Sequence, residues 1–387
     1  MSGTHAQARA AMAARATAYA GLDPAWHRAM AEVPREHFIP DRVWRNDGGK
    51  GTLVDRRQEP EAWEAMLHDE FRSIVTQLDD GAEHGPGHFT SSASMPVVVA
   101  RMLAEIPKVN GLRVLEIGAG TGYNAALLAH RFGARNVVSV EIDPGLADRA
   151  RAALARAGFP SVEVITGDGV DRLGELIPGH GFDVLICTCE IAYLPAAWLD
   201  AVPSGVIIAP FSPGWLSVGC LVLHTGERNS GRIKAGFSFM NARGHRWAAP
   251  RPPAENAEWT RHSELEPYRV TSSCEAAAFA VSMQLPGVDY WIQDDPDGIR
   301  RLTLWDNRQP QSWAAVQVER GQADGWAARG AGPRELWSEV EAAYRRWAHW
   351  GEPGPDRYTV TASRNAVTFS LGRNTLIDVP AWSTGSE

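Results

Sequence analysis

The sequence has no apolar run long enough to cross a membrane, and its first residues, Met1-Ser-Gly-Thr-His5, lack the basic and apolar regions of a signal peptide. It also has few cysteines, only four in 387 residues. Cys187 and Cys189 lie two apart in one apolar segment, and we expect them to point to opposite faces and to form neither a disulfide nor a zinc site. These shortages argue against a membrane protein and against a disulfide-stabilised secreted protein. We therefore expect a cytoplasmic protein without a bound metal.

Basic residues are outnumbered by acidic ones, with 38 Lys and Arg against 46 Asp and Glu and a formal net charge of -8 at pH 7. A protein that binds nucleic acid normally presents a basic face, so this balance argues against a nucleic-acid partner. Apolar residues make up 44% of the chain, and 387 residues are enough for two domains and a sizeable core. We expect a soluble protein that acts as a monomer.

The chain is organised around a glycine-rich segment between residues 113 and 129. Val114–Ile117 is a short apolar run that stops at a glycine, a pattern typical of a buried parallel strand. Gly118, Gly120 and Gly122 alternate with other residues, and apolar positions at helical spacing follow them. A strand, a tight glycine turn and a helix are therefore predicted in that order. Glycines let the backbone turn sharply and let a ligand lie against bare peptide groups.

Two acidic residues accompany this turn. Glu116 lies in the first strand, and Glu141 lies at the end of the second predicted strand, Val137–Asp143. A dinucleotide site has the spacing G-x-G-x-x-G, whereas this turn reads G-x-G-x-G, and a carboxylate after the second strand is placed to accept hydrogen bonds from both ribose hydroxyls. The combination resembles the nucleoside site of class I S-adenosylmethionine-dependent methyltransferases. The alternative is that the glycines form only a turn.

A second segment, Val33-Pro-Arg-Glu-His-Phe-Ile-Pro40, resembles the V-P-R-E-x-F-x-P signature of protein L-isoaspartate O-methyltransferases. The resemblance covers residues 33–240 and implies a class I methyltransferase fold of the α/β class, a Rossmann-like doubly wound sheet preceded by a helical N-terminal region. It also implies a carboxyl methyltransferase that uses S-adenosyl-L-methionine. The strand and helix patterns that alternate over residues 111–210 agree, since they predict a parallel sheet with helices on both faces.

The resemblance assigns cofactor contacts along the predicted sheet. One of them, Asp168, lies in a Gly-Asp-Gly turn after the third strand, where the family's aspartate contacts the adenine amino group. The alternative is that Asp168 only stabilises its turn. The cofactor-binding residues implied are Glu116, Gly118, Ala119, Gly120, Thr121, Gly122, Asn124, Glu141, Ile142, Asp168 and Gly169.

Residues 76–94 are rich in glycine, histidine and serine, which indicates a mobile loop beside the site. At this position the family has the motif Q-T-I-S-x-P. Its last two positions align with Met95 and Pro96, which fixes the alignment of the other four. Ser94 then matches the serine, Ser92 the threonine, and Ser91 replaces the glutamine. The resemblance makes Ser92 and Ser94 the catalytic residues that orient the acceptor carboxylate, while the departure at Ser91 leaves the substrate open.

Further substrate contacts are expected in the same segment, at Thr76, Gln77, His88 and Ser91. Two simpler interpretations remain beside these roles. Ser94 can cap the helix predicted to start at Pro96, and His88 can be a solvated loop histidine.

The chain continues well beyond the resemblance. Strands are predicted at Ala277–Leu285, Leu302–Trp305 and Trp313–Val318, an amphipathic helix at Pro333–Trp350, and a hairpin over residues 358–371. This pattern predicts an α+β extension. We therefore expect an N-terminal helical region with the active-site loop at 1–94, a cofactor-binding core at 95–245, and an extension at 246–387 that recognises a peptide.

The helix and the Pro353-Gly-Pro-Asp-Arg357 segment resemble the extension of actinobacterial relatives associated with ribosomally made, modified peptides of the lanthipeptide, lasso and ATP-grasp-ligated (graspetide) classes. The resemblance implies methylation of an aspartate in a modified precursor peptide, whose ester closes to an aspartimide (succinimide) or goes on to isoaspartate. Five tryptophans can contribute to peptide contact, although most are expected in the core: Trp291, Trp305, Trp313, Trp337 and Trp347.

Three other hypotheses about function remain. The chain can be a general repair enzyme for isoaspartyl damage, an inactive cofactor-fold module that only binds a peptide, or a small-molecule methyltransferase. The intact acids and glycines argue against an inactive module. The interpretation as a small-molecule methyltransferase leaves the V-P-R-E-x-F-x-P segment unexplained.

Overall fold

The structure, a computed structural model, describes residues 2–179, 181–215, 219–234, 239–246, 256–271, 273–294, 299–318, 325–373 and 375–380. Proximity of Cα atoms divides the chain into two units. The first contains Met1–Cys189, Ala197–Ala209 and His224–Glu227. The second contains Glu190–Ala196, Pro210–Leu223 and Arg228–Glu387. The boundaries expected at 94/95 and 245/246 stay predictions.

The chain as far as Pro210 alternates helices and strands. Its elements are α1 (Ser2–Ala20), α2 (Pro24–Glu32), β1 (Arg42–Asp47), β2 (Lys50–Asp55), α3 (Pro60–Leu67), β3 (Ile74–Leu78), β4 (Phe89–Ala93), α4 (Pro96–Leu103), β5 (Val114–Ile117), α5 (Tyr123–Phe132), β6 (Val137–Glu141), α6 (Pro144–Arg156), β7 (Glu163–Thr166), α7 (Leu173–Leu176), β8 (Val184–Cys187), α8 (Ala196–Ala201) and β9 (Val206–Pro210).

Five of these strands lie side by side in the order β9-β8-β5-β6-β7, and each neighbouring pair is parallel. Every residue of β5, β8 and β9 is buried. Strands enclosed on both faces read as continuous apolar runs, which is why this part of the fold is visible in the sequence. The parallel sheet predicted over residues 111–210 is confirmed.

A second sheet of the first unit is antiparallel, in the order β2-β1-β3-β4. It encloses a small core that includes Val43, Val54, Trp63 and Ile74. One expectation is wrong here, because residues 76–94 were expected to be a loop and include most of β3 and all of β4. These two short, half-polar strands pair with each other, and half-polar strands give a weak apolar signal. Only residues 79–88 separate β3 from β4.

The described part of the chain from Cys220 onward contains more strands than helices. Its elements are β10 (Cys220–His224), β11 (Ser230–Lys234), β12 (Trp259–Ser263), α9 (Glu275–Gln284), β13 (Val288–Asp294), β14 (Arg300–Asp306), β15 (Trp313–Val318), β16 (Trp326–Ala331), α10 (Leu336–His349), β17 (Thr359–Ala362), β18 (Ala366–Leu371) and β19 (Thr375–Pro380). One group of strands has the order β19-β18-β17-β11-β10, and the other forms an antiparallel sheet in the order β12-β16-β15-β14-β13.

The predicted α+β character of this region is confirmed, with one strand assigned wrongly. Residues 277–285 were expected to be a strand and belong to helix α9. Alanine is the strongest helix former, and α9 is buried along most of its length, so it lacks the polar face that reveals a helical period. The strand β15, the helix α10 and the β17–β18 hairpin agree with the prediction.

Helix α10 packs its apolar face into the core of the second unit. Leu336, Trp337 and Val340 are buried there with residues of β14 and β15. Trp313 and Trp347 are buried as well, and Trp305 is half-buried. Trp291 is different, with 45% of its surface exposed. Most of the five tryptophans therefore belong to the core, as expected.

Among the residues that the structure describes, no helix combines the length and the apolar character needed to cross a membrane.

Candidate active site

The glycine turn leads from β5 into α5 with three residues at positive φ. Gly118, Gly120 and Gly122 have φ of 89°, 53° and 86°, in the left-handed region that favours glycine. A Cβ on Gly118 would lie 2.7 Å from the Thr188 hydroxyl oxygen, so this position has no room for a side chain. The predicted strand, turn and helix are confirmed.

Glu116 lies inside the protein, beneath this turn. Its carboxylate accepts a hydrogen bond of 2.8 Å from the Asn124 amide and another from the Ser139 hydroxyl, and none of its surface is exposed. Burial raises the pKa of Glu116 to about 7, against the effect of these two hydrogen bonds. Glu116 and Asn124 therefore join the turn and α5 to strand β6.

Glu141 lies at the carboxyl end of β6 and contacts the turn directly. Its two oxygens accept hydrogen bonds from the backbone N–H of Gly120 at 2.7 Å and of Asp143 at 3.0 Å. Both bonds hold the carboxylate in one orientation beside the turn. The structure thus brings together the glycine turn and the second acid, as the sequence predicted. Ile142, the next residue, is half-buried.

Asp168 and Gly169 follow strand β7. The Asp168 carboxylate accepts hydrogen bonds from the backbone N–H of Val170 at 2.9 Å and of Asp171 at 3.0 Å, so it does stabilise its own turn. One of its oxygens makes both bonds. A Cβ on Gly169 would lie 2.8 Å from the Ile117 side chain, which gives this glycine a packing role. Ala119 and Thr121, which the sequence also assigned to cofactor binding, lie between the glycines of the turn. Ala119 is buried and Thr121 is half-buried.

The serine segment forms strand β4 and lies beside the glycine turn. A Cβ on Gly120 would lie 3.7 Å from the Ser91 hydroxyl oxygen and 3.8 Å from the Ser92 carbonyl oxygen. Thr76 donates a hydrogen bond of 3.1 Å to the Ser91 hydroxyl. The Gln77 amide donates one of 3.2 Å to Asp143, which in turn caps helix α6. The first of these hydrogen bonds joins β3 to β4, and the second joins β3 to the start of helix α6.

Ser92 and Ser94 are half-buried, and within the described part of the chain neither hydroxyl makes a hydrogen bond. The suggestion that Ser94 caps helix α4 is wrong, because Met95 is the capping residue and makes no side-chain cap. The hydroxyl of Ser94 is thus not used for capping. His88 is exposed in the β3–β4 connection, where its backbone N–H donates to Asp79.

Arg35 supports this region and was not identified from the sequence, although it lies in the Val33–Pro40 segment. Its fully buried guanidinium donates hydrogen bonds of 3.1 Å to the Leu67 carbonyl and 3.2 Å to the Ser94 carbonyl. The same group stacks 4.9 Å from the centre of the Tyr123 ring, at the first turn of α5. Burial lowers the pKa of Arg35. Arg35 therefore joins the end of α3, the serine segment and the helix after the glycine turn.

The expectation that the two neighbouring cysteines point to opposite faces is wrong. Cys187 ends strand β8 and Cys189 follows it, and their sulfur atoms lie 3.4 Å apart. Both are free thiols. Cys187 is buried and Cys189 is half-buried.

Known proteins resemble this chain over the residues that contain the site. The family model of protein-L-isoaspartate(D-aspartate) O-methyltransferase matches residues 68–218. Protein-L-isoaspartate O-methyltransferase 2 of Rhodopseudomonas palustris (strain HaA2) is 46% identical over 189 residues, which are 48% of this chain and 70% of that protein. The chain belongs to the protein-L-isoaspartate O-methyltransferase family.

A second member of the family, from Bradyrhizobium sp. (strain BTAi1), is 42% identical over 193 residues, 49% of this chain and 72% of that protein. A solved structure of a protein-L-isoaspartate O-methyltransferase has a TM-score of 0.55 at 19% identity and covers 94% of this chain and 99% of its own. The class I methyltransferase fold is thereby confirmed, with an additional β-rich C-terminal region. The protein is a carboxyl methyltransferase, and its cofactor is S-adenosylmethionine.

The glycine turn of this methyltransferase fits that cofactor. A Cβ on Gly120 would have its nearest neighbour, the Ser91 hydroxyl oxygen, at 3.7 Å, so the absence of a side chain leaves space beside the backbone there. Glu141 contacts the same turn, and its two hydrogen bonds to backbone N–H groups fix its orientation. Bare peptide groups and an oriented carboxylate are what a nucleoside needs from such a turn. Gly120 and Glu141 are therefore the residues placed to hold the cofactor, and Thr188, which donates to the Gly118 carbonyl, supports the turn from below.

Proposed function

We propose that this methyltransferase acts on the side-chain carboxylate of an aspartate in a ribosomally made, modified precursor peptide. One observation supports this most. The family model matches residues 68–218, whereas residues 228–387 belong to a unit with its own core, built on helix α10 and a five-stranded sheet. An ordinary aspartate has nothing to distinguish it from others in the cell, so selection requires contacts away from the carboxylate. The second unit offers surface for such contacts.

The residues of the site suit a carboxylate acceptor. An aspartyl carboxylate has an ordinary pKa of about 3.9, so it is ionised at neutral pH and no general base is needed. The hydroxyls of Ser92 and Ser94 have no hydrogen-bond partner among the described residues and can orient the acceptor oxygens. Arg35 fixes the backbone of Ser94. Bound S-adenosylmethionine supplies the electrophilic methyl group.

The ester then reacts within the peptide itself. The backbone nitrogen of the next residue attacks the ester carbonyl carbon, methanol leaves, and a five-membered aspartimide ring closes. This step needs no residue of the enzyme. Hydrolysis of the ring gives isoaspartate where the surrounding peptide does not protect it. The proposed products are therefore aspartimide and, after it, isoaspartate.

A second candidate is general repair of isoaspartyl damage. Ser92 and Ser94 keep the register of the family's threonine and serine, and the relatives at 46% and 42% identity are named protein-L-isoaspartate O-methyltransferases. The solved protein-L-isoaspartate O-methyltransferase that covers 94% of this chain also supports repair, since that share includes most of the second unit. Against it, a repair enzyme must accept isoaspartate in many contexts and gains little from a dedicated recognition surface. Ser91, in the position of the family's glutamine, favours the first candidate because it changes the hydrogen-bonding group next to the turn.

We further propose that the protein acts in the cytoplasm as a monomer, with the peptide as its partner and without nucleic acid. Its formal net charge of -8 supports the last point, because a nucleic-acid partner calls for a basic face.

The two candidates are separated by giving the enzyme three substrates. These are a modified precursor peptide of the lanthipeptide, lasso or graspetide class, chosen from the genes that neighbour this one, the same peptide unmodified and linear, and a short isoaspartyl peptide. We expect methylation of the modified precursor to be much the fastest, and mass spectrometry to show a gain of one methyl group followed by loss of methanol. Fast methylation of the isoaspartyl peptide and none of either precursor would return the protein to the repair class.

A further inference from the structure

The second unit contains a cleft of about 440 Å³. Trp215, Tyr290 and Trp291 supply aromatic rings to its wall, and Glu190 and Asp289 supply carboxylates. Among the described residues that line it, none is a lysine, arginine or histidine. The cleft therefore combines aromatic faces with negative charge.

The backbone beside the cleft is held in an unusual conformation. Trp215 has a φ of 68°, in the left-handed region that residues with a side chain rarely adopt. Gly214 before it has a φ of 137°, and a Cβ there would lie 2.6 Å from the Val288 carbonyl oxygen. Ser282 donates a hydrogen bond of 2.7 Å to the Gly214 carbonyl, which fastens this turn. Strained backbone of this kind persists where the surroundings over-determine it, and it commonly occurs at binding sites.

The strained turn places one aromatic ring against another. The indole of Trp215 is 98% buried and lies 5.2 Å from the ring of Tyr290. Trp291, the next residue on β13, has 45% of its surface exposed. Tyr290 and Trp291 are neighbours on β13, so their rings point to opposite faces of the strand. The Trp215–Tyr290 pair is on the face that packs against the core, whereas the exposed Trp291 indole is on the same face as Asp289. Aromatic faces of this sort attract organic cations, more strongly where water is excluded.

Asp289 is the carboxylate whose charge such a cation would meet. Asp289 accepts a hydrogen bond of 2.8 Å from the backbone N–H of Tyr290 and forms no ion pair within the described part of the chain. Burial raises its pKa to about 6, as expected for an acid without a cation beside it. Glu190 is 5% exposed and accepts a hydrogen bond of 3.3 Å from the Asn241 amide.

We propose that this cleft binds the cationic side chain of a lysine or arginine in the peptide substrate. The proposal rests on the proposed function in one respect, that the substrate is a peptide recognised by the second unit. The Asp289 carboxylate argues for a cation, and the exposed Trp291 indole on the same strand face argues for one carried on an alkyl chain, which packs against the ring while its charged end reaches Asp289. Selection of one aspartate would then depend on a basic residue elsewhere in the same peptide.

Direct binding tests this without any methyl transfer. The full-length protein without cofactor is titrated with the capped pentapeptides Gly-Gly-X-Gly-Gly, where X is lysine, arginine or the uncharged isostere norleucine, and binding is followed by saturation-transfer NMR. We expect the lysine and arginine peptides to bind at least tenfold more tightly than the norleucine peptide. Equal affinity for the norleucine peptide would overturn the proposal.

Two variants locate the binding. Asp289→Asn keeps the shape of the side chain and removes its charge, and Trp291→Ala removes an exposed ring, so neither should unfold the protein. Each is expected to weaken binding of the lysine peptide at least fivefold. The matched control is Glu264→Gln, which removes the same charge from an exposed residue of the same unit that does not line the cleft. A loss of the same size in Glu264→Gln, or no loss in Asp289→Asn and Trp291→Ala, would show that the cleft is not the site.

Failure of this proposal and failure of the proposed function give different results. If the lysine peptide binds the cleft and no precursor peptide is methylated, the cleft stands and the proposed substrate falls. If a precursor is methylated and the lysine and norleucine peptides bind alike, the proposed function stands and the cation site falls.

Discussion

Glu116 is an acid enclosed among apolar residues, and this makes the stability of the protein depend on pH. Its pKa is raised from 4.5 to about 7, chiefly by burial. The folded protein therefore holds the proton more tightly than the unfolded chain, and the free energy of unfolding falls as the pH rises from about 4.5 to about 7. At roughly 1.4 kcal/mol per pKa unit, this group accounts for a fall of about 3 kcal/mol.

The first prediction follows from that group. Glu116→Gln keeps a hydrogen-bonding amide in place and cannot ionise, so the fall in stability between pH 5 and pH 8 should be reduced by about 3 kcal/mol relative to the parent. Urea unfolding of the cofactor-free protein at both pH values measures this. An identical pH dependence in the two proteins would show that Glu116 does not carry the effect.

The second prediction concerns the two serine hydroxyls. If they orient the acceptor carboxylate, the double variant Ser92→Ala and Ser94→Ala should lose about 10²–10³-fold in turnover, the size of effect seen for a lost oxyanion donor. Cofactor affinity should change by less than about twofold, because the turn and Glu141 remain. Ser204→Ala, an exposed serine of the same unit, is the control and should retain full activity. Single-turnover rates equal to the parent in the double variant would refute the assignment.

The third prediction concerns the cofactor turn. Glu141→Ala removes the acceptor for the Gly120 N–H, and Gly120→Val puts a side chain at a φ of 53° and fills the space beside Ser91. Both should abolish or greatly weaken binding of S-adenosylmethionine in calorimetric titration while the circular dichroism spectrum is kept. Glu163→Ala, an exposed acid at the start of β7, should bind like the parent. Unchanged affinity in both site variants would remove the assignment.

Single residues were predictable where their setting is local. The glycines and Glu141 are fixed by a short strand, a turn and a second strand that are visible in the sequence, and the structure places Glu141 on the Gly120 N–H. The contacts of Arg35 join residues 32 and 59 positions away, a distance at which no periodic pattern gives information. The cysteine error had a different origin, since it came from a wrong assignment of strand faces.

At the scale of elements, predictability followed the contrast between apolar and polar positions. Helix α10 has a clear apolar stripe and was placed within three residues at its start and one at its end. Helix α9 has almost no polar face and was taken for a strand. The strands β1 to β4 are short and half-polar, so their pairing, which depends on partners elsewhere in the chain, was invisible.

The fourth prediction tests the attachment of helix α10. Trp337 is completely buried and its indole N–H donates a hydrogen bond of 2.8 Å to the Ser263 hydroxyl on β12. Trp337→Ala should lower the free energy of unfolding by about 3–5 kcal/mol, and Trp337→Phe, which loses the hydrogen bond and some volume, by about 1–3 kcal/mol. Denaturant titration of the second unit's near-ultraviolet signal measures both. The control Trp291→Ala, at an exposed position, should stay within about 0.5 kcal/mol of the parent.

At the scale of the whole molecule, the formal net charge of -8 acts on any charged substrate. Like charges repel over the Debye length, about 10 Å at 0.1 M salt, and added salt screens this repulsion. The fifth prediction is that KM for an isoaspartyl peptide of net negative charge falls as salt is raised from 20 to 300 mM. KM for the same peptide with a net positive charge should rise, and KM for a neutral version should not move. Parallel changes in all three would point to a general salt effect on the enzyme.

The chain as a whole was easier to place in a family than to assign a substrate, and the buried guanidinium of Arg35 shows why. It is completely buried, makes no ion pair with an acid among the described residues, and donates a hydrogen bond to the backbone carbonyl of Ser94. A lysine there would lose the planar fork that spans two carbonyls and stacks on a ring. The Val33–Pro40 segment therefore holds the backbone of the serine segment through a residue that has no exposed surface with which to contact a substrate. Such a segment identifies the family and carries no information about which carboxylate is methylated.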